Sequence, residues 1–274
     1  MESQNVEGYP VIFLHGNGFS KEVFKRQFAS PHLKHLRLIA LDMPGHGKSS
    51  DAIDPQHSYT FSGFADEVLD FINHKKIEKC VVAGWSLGGQ VALELIDSSP
   101  CIEGVFAFGA PPAPAGSLGL MRSMKLSRSL LLAGKSKFSE ADAHHFEKMS
   151  FGELADGSFI KDMLRTDPEM RPTLSKSLLR PKGISQQERF SNSSTPVCLL
   201  HGAKDPLVKT AYMQSLSSPM LFGGKTAILE DAGHAPFMET QTEFDLLLSF
   251  FCKWVLTSNI NDVVKAGQQS SLAA

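Results

Sequence analysis

The chain has 274 residues, 42% of them hydrophobic and 20% charged, with a formal net charge of −2, which allows one large α/β domain or two small ones and gives no field to steer nucleic acid or an anionic membrane. No apolar run approaches the roughly 18 residues of a membrane span, and the first seven residues have neither the basic nor the apolar region of a signal peptide. Cys80, Cys101, Cys198 and Cys252 show no C-x-x-C spacing; they read as reduced thiols, which points to a cytoplasmic protein acting on a small neutral or weakly charged molecule.

From the N-terminus, a strand is expected at 11–15, a helix at 21–28, a strand at 36–41, a helix at 61–74, a strand at 80–84, a helix at 90–98 and a strand at 104–109. The strand segments are nearly continuous apolar runs rather than alternating ones, the pattern of a parallel sheet covered on both faces. Strand signals then vanish over 114–190, where helical patterns at 118–133, 140–151, 159–165 and 173–179 take over. Ser139 and Asp142 resemble a capping box there, and Pro168, Pro172 and Pro181 punctuate the rest. The alternation resumes with a strand at 197–201, a helix at 211–216, a strand at 226–229 and a helix at 242–256. The fold class is therefore α/β, a mostly parallel, doubly wound sheet flanked by helices, with a helical cap inserted over the C-terminal ends of the strands. The expected division is core 1–113, cap 114–190, core 191–256 and a polar, mobile tail 257–274. Met121, Met124, Met149, Met163, Phe138, Phe146 and Phe151 either line an apolar substrate pocket under the cap or pack the cap together.

Gly84-Trp85-Ser86-Leu87-Gly88 stands between the strand 80–84 and the helical pattern that starts near Gln90. In such a strand–turn–helix elbow the glycines remove side chains that would clash, the serine hydroxyl is exposed above the sheet, and the next backbone N–H, that of Leu87, can face an oxyanion. A nucleophilic serine needs a base and an acid to orient it, in the chain order Ser, Asp or Glu, His. Asp205 follows the strand 197–201, and His234 follows the strand 226–229, so both fall on the same rim of the sheet as Ser86. Asp231 is a rival acid, but it precedes His234 by only three residues and suits a turn. His15-Gly16-Asn17-Gly18 follows the first strand and can lend a second backbone N–H, that of Asn17, to an oxyanion hole; the Asn17 amide could also contact substrate. His46 and His201 read as structural, and His32, His35, His57, His74, His144 and His145 as surface residues. Gly47-Lys48-Ser49 ends like a phosphate loop, but Asp42 stands where the pattern requires Gly. No cofactor and no metal are implied.

The elbow, the His-Gly loop, Asp42-Met43-Pro44-Gly45-His46-Gly47-Lys48-Ser49 and the Asp205 and His234 segments resemble the α/β-hydrolase superfamily over residues 10–256. Pro44 to Ser49 leading into Asp51-Ala52-Ile53-Asp54-Pro55, Gly84 to Gly89, Gly109-Ala110-Pro111-Pro112 and Asp231 to Phe237 are similar to the metal-independent N-acyl-homoserine lactonases and their esterase relatives. The resemblance implies an α/β-hydrolase fold with Ser86 as nucleophile, His234 as base, Asp205 as orienting acid and the amides of Asn17 and Leu87 as oxyanion hole. It also implies ring opening of a homoserine lactone through an acyl-enzyme, with the acyl tail under the cap; Trp85, Phe138, Phe146 and Met149 are the candidate substrate contacts. The chain departs from the family in lacking its opening β-hairpin. It carries Asp at the acid position, where close lactonase relatives can have Glu, and Phe146 where a polar ring contact such as Tyr is expected. The expected function is thus a serine hydrolase of a carboxylic ester or lactone. A general short-chain carboxylesterase, a carbon–carbon bond hydrolase and a non-catalytic small-molecule receptor remain as alternatives.

Overall fold

The computed structural model describes residues 1–126, 131–179 and 185–271, with side chains up to 257. Its sheet has six strands, β1 (Tyr9–Leu14), β2 (Leu36–Leu41), β3 (Cys80–Trp85), β4 (Ile102–Phe108), β5 (Val197–Gly202) and β6 (Ala227–Leu229), in the order β2-β1-β3-β4-β5-β6. Every pair is parallel. All six residues of β3 and of β5 are buried, whereas the edge strand β6 is only half-buried. Alternate residues feed two apolar layers, because successive side chains leave opposite faces of a strand. Ile12, Leu14 and Val82 meet the layer containing Phe64, Val68, Ile72 and Val91, while Val11, Phe13, Val81 and Trp85 meet Phe237, Phe244, Leu248 and Phe251. The helix Phe61–His74 is started by the Thr60 side chain, which accepts from the Gly63 N–H, and buries Phe64, Ala65, Val68 and Ile72 along one stripe. Each such large side chain contributes about 1.5–3 kcal/mol.

The chain leaves β1 for β2 on one side and returns to β3 on the other, so the strand order reverses between β1 and β3. Open α/β sheets hold ligands beyond the strand ends at such a reversal. Among the described residues no hairpin adjoins the β2 edge. Met1 and Ala40 instead exchange two bonds of 2.8 Å and the Ser3 N–H donates to Leu38 O at 2.8 Å, a short antiparallel contact that covers the edge.

Between β4 and β5 lie the helices Gly116–Ser123, Glu140–Phe151, Ile160–Arg165, Met170–Leu179 and Gln186–Ser191, with no strand among the described residues. The Ser139–Asp142 capping box is formed. The helix expected over 118–133 stops at Ser123: Met124 is extended and bridges Val208, Lys125 N–H donates to Leu207 O, and Lys209 N–H donates to Ser123 O. Backbone groups that would have continued the helix are satisfied by the loop after β5; residues 127–130 of the expected helix lie outside the described ones.

This segment spans the C-terminal edge of the sheet. Arg165 donates to Ser49 O at 2.7 Å and to Asp51 at 2.8 Å, and Gln186 donates to Gln90 O at 3.1 Å. Tyr59 also donates to Asp167. The final helix, Gln241–Ser271, runs past 256 into the stretch expected to be a mobile tail; extending a packed helix needs no new nucleus, so polar composition alone does not end it. Residues 272–274 of that expectation lie outside the described ones. The four cysteines are unpaired, and no described helix is long and apolar enough to cross a membrane.

Candidate active site

Ser86 directly follows β3 and holds φ 53°, ψ −112°, a conformation that costs a non-glycine residue about 1–3 kcal/mol and persists only where its surroundings enforce it. Its N–H donates to Phe108 O at 2.9 Å, its carbonyl accepts from Gln90 at 2.9 Å, and Gly88 N–H donates to His15 O at 3.0 Å. A Cβ on Gly84 would fall 2.1 Å from Gly88 O, and one on Gly88 2.2 Å from Leu14 O. The turn therefore needs both glycines. Ser86 occupies the N-cap of the helix Leu87–Glu94 yet makes no capping bond. Its hydroxyl lies 3.0 Å from His234 Nε2 instead.

Asp205, on the loop after β5, is fully buried. One carboxylate oxygen accepts from the N–H groups of Leu207 at 2.7 Å and Val208 at 3.0 Å, and the other lies 2.8 Å from His234 Nδ1. Burial alone would raise the Asp205 carboxyl, but the His234 charge and hydrogen bond and the two backbone donors outweigh it and hold it below its usual value. An ionised Asp205 requires the proton on Nδ1, which leaves the Nε2 lone pair facing the Ser86 hydroxyl. The His234 loop is pinned from two sides. Trp85 Nε1–H donates to His234 O at 2.7 Å, and the Glu239 carboxylate accepts from Gly233 at 2.8 Å and Ala235 at 3.1 Å. Asp231, the rival acid, has an 86% exposed side chain paired with Lys204. His201 is buried behind Asp205, with Nδ1 3.8 Å from its carboxylate and Nε2 3.0 Å from Thr210 Oγ1.

After β1, His15 is buried with Nδ1 2.8 Å from Gly16 O and Nε2 accepting from Met43 N–H at 3.1 Å. Burial drives its pKa down to about 4, so it stays neutral and ties this loop to the one after β2. Gly16 lies against Trp85, whose ring a Cβ would meet at 2.8 Å, and Gly18 has φ 81°. The Asn17 amide does not project towards an open site: its Nδ2 donates to Ala133 O at 3.0 Å and its Oδ1 accepts from Arg171 Nε at 3.0 Å. Leu87 heads its helix, so its N–H has no partner within that helix.

Of the four candidate substrate contacts, Trp85 is 1% exposed and packs on Phe19, Phe151 and Phe237. Phe138 and Phe146 are buried with ring centroids 5.4 Å apart, and Met149 is half-buried beside the same layer. Phe19 joins Trp85 to Phe146 across the sheet edge. Sequence reasoning missed Phe19, Arg171 and Glu239. Phe19 was readable as an apolar residue directly after the Gly-Asn-Gly turn; Arg171 and Glu239 carry no local signal, because each acts on a loop distant in sequence.

The alpha/beta hydrolase family model matches residues 11–244. The structure is similar to that of the N-acyl homoserine lactonase AidH complexed with N-butanoyl homoserine, with a TM-score of 0.88 and 33% identity over 93% of this chain and 92% of that one. It is also similar to a putative aryl esterase from Burkholderia cenocepacia, with a TM-score of 0.78 and 25% identity over 94% of each chain. In sequence, the pimeloyl-[acyl-carrier protein] methyl ester esterase of Nitrosospira multiformis is 24% identical, over 87% of this chain and 92% of its own length. A serine hydroxyl in line with a histidine and a buried carboxylate is what nucleophilic hydrolysis demands. The chain belongs to the alpha/beta hydrolase family and, within it, is similar to the N-acyl homoserine lactonase and esterase members.

Proposed function

We propose that the chain is a serine hydrolase that opens a lactone or cleaves a carboxylic ester through an acyl-enzyme, with N-acyl homoserine lactone as leading substrate. The observation that carries this reading is the line Asp205–His234–Ser86, at 2.8 and 3.0 Å, ending on a serine whose hydroxyl forms no capping bond. Ser86 Oγ attacks the carbonyl carbon while His234 Nε2 takes its proton, and the imidazolium is stabilised by Asp205. The backbone N–H groups of Asn17 and Leu87 receive the oxyanion; loss of one such donor typically costs about 2.7–4 kcal/mol. His234 then protonates the leaving alkoxide, which in a lactone stays tethered to the acyl group. Water, deprotonated by His234, attacks the acyl carbon and returns Ser86 to its hydroxyl form. Residues 114–190 serve as the cap, and Phe138, Phe146 and Met149 above Trp85 supply the apolar wall for the acyl tail.

Similarity to the lactonase AidH favours the lactone, and similarity to the aryl esterase favours the second reading, a general short-chain carboxylesterase. The test is mass spectrometry of N-butanoyl and N-decanoyl homoserine lactone incubated with wild type and Ser86→Ala, with p-nitrophenyl butyrate as the linear ester. Water added to the lactones only with Ser86 present supports the first reading. Turnover confined to the linear ester supports the second, and turnover that survives Ser86→Ala overturns both.

A further inference from the structure

Arg171 has no carboxylate within ion-pair distance among the described residues, although its side chain is completely buried. A buried guanidinium is expensive unless its donors are used. Here Nε donates to Asn17 Oδ1 at 3.0 Å, Nη2 donates to Met163 O at 3.4 Å, and the guanidinium carbon stacks 3.8 Å over the Phe138 ring. Burial lowers its pKa only to about 10, so it is a cation at neutral pH. Two of these three partners, Met163 and Phe138, belong to the segment between β4 and β5; the third, Asn17, is the residue between Gly16 and Gly18.

The opposite end of the Asn17 amide is bound as well, by Ala133 O at 3.0 Å. This orientation of the amide is forced, because Arg can only donate and a carbonyl can only accept. Asn17 is thus held at both ends of its side chain by the helical segment, while its two neighbours in the chain have no side chains with which to stiffen the loop. The Arg171 guanidinium also presses on the loop backbone: a Cβ on Gly18 would lie 2.6 Å from Nη2.

We infer that Arg171 is a positioning residue that acts through the Asn17 side chain to aim the Asn17 backbone N–H, so that seating of the cap and completion of the oxyanion hole are one event. This rests on the serine-hydrolase reading above. The guanidinium does not touch the reacting carbonyl; its charge-assisted bond to Oδ1 limits rotation of the Asn17 residue, and with it the peptide plane that carries the donor. An oxyanion donor acts only where its N–H points at the oxygen of the tetrahedral intermediate, so the effect belongs to the transition state and not to substrate binding.

The test uses the full chain with p-nitrophenyl butyrate as substrate, butylboronic acid as a tetrahedral adduct former on Ser86, and the variants Arg171→Gln, Arg171→Lys, Asn17→Ala and Arg171→Gln/Asn17→Ala. Arg171→Gln is expected to lower kcat about 10- to 100-fold and to weaken butylboronic acid by a similar factor. KM should stay within about threefold, Arg171→Lys should recover part of the loss, and the double variant should be no worse than Asn17→Ala, because both changes remove the same link. Unchanged kcat, a loss confined to KM, or additive effects in the double variant each overturn the inference. If Arg171→Gln fails to fold, Asn17→Ala and Arg171→Lys still read the same link. Failure of the serine-hydrolase reading is distinguishable: wild type would then be insensitive to butylboronic acid, and Ser86→Ala would keep its activity.

Discussion

Asp205→Asn changes one atom of the site and reverses the chemistry of its histidine. In the native site one carboxylate oxygen accepts from the Leu207 and Val208 N–H groups, at 2.7 and 3.0 Å. An asparagine must keep its carbonyl oxygen there, because an NH2 group would face two donors. Its NH2 is then turned to His234 Nδ1, at the 2.8 Å now occupied by the carboxylate–imidazole bond. A donor at that position forces the imidazole proton onto Nε2, so His234 donates to Ser86 and no longer accepts from it. The expected loss in kcat is about 10⁴-fold, equivalent to about 5 kcal/mol in the barrier. Stability should fall little, since the two backbone bonds survive. Asp205→Ala, by contrast, leaves two buried N–H groups unpaired at about 1–3 kcal/mol each. Initial rates on p-nitrophenyl butyrate and thermal denaturation of wild type, Asp205→Asn, Asp205→Ala and Asp231→Asn make the comparison. Retention of more than a tenth of wild-type kcat by Asp205→Asn, or a comparable loss in Asp231→Asn, would refute the reasoning.

Gly88→Ala places a Cβ 2.2 Å from the backbone oxygen of Leu14; it should cost about 3 kcal/mol or more and abolish turnover, read by urea denaturation and residual esterase rate. Acid should weaken the fold through His15. Its pKa is about 4 in the folded protein against 6.5 for the free group, so the unfolded chain binds more protons below pH 6.5 and stability is lost as pH falls from there to about 4. The amount is about 3 kcal/mol, and the same pH slope in His15→Gln would contradict the assignment. Glu239→Ala removes the acceptor of the Gly233 and Ala235 N–H groups that flank His234 and should reduce kcat about tenfold by loosening the base. Glu239→Gln, which retains an acceptor, should keep most of the activity; equal losses in the two variants would count against a role in fixing the loop.

The strands were legible because β1, β3 and β5 are buried from both faces and so read as unbroken apolar runs. The line of Ser86, His234 and Asp205 was legible for a different reason: a strained elbow leaves a local glycine signature, and a carboxylate and an imidazole proposed as acid and base must follow strands to reach the same rim. What the sequence conceals is pairing between segments far apart in the chain. Apolar residues over 118–133 promise one long helix, yet Lys125 N–H donates to Leu207 O and Ser123 O accepts from Lys209 N–H, on either side of the Met124–Val208 bridge. Arg171 lies in a polar stretch that reads as solvated, and Phe138, Met163 and Asn17, contributed from elsewhere, make it a buried cation. Asn17 was equally ambiguous, since a free amide and a clamped one have the same local sequence.

The long interruption between β4 and β5 has a consequence for synthesis. β5 pairs with β4 through Val197 and Val105, so the sheet cannot grow past β4 until residues 109–196 have been made and their loop has been closed. At about 5–20 residues per second, about 7–30 seconds separate emergence of the Ser86 turn from that of His234. On the proposed reading the nascent chain carries Ser86 without His234 throughout that interval, and ribosome-stalled chains ending before 234 should neither hydrolyse p-nitrophenyl butyrate nor be labelled by a fluorophosphonate, whereas chains extended past 256 and clear of the exit tunnel should do both.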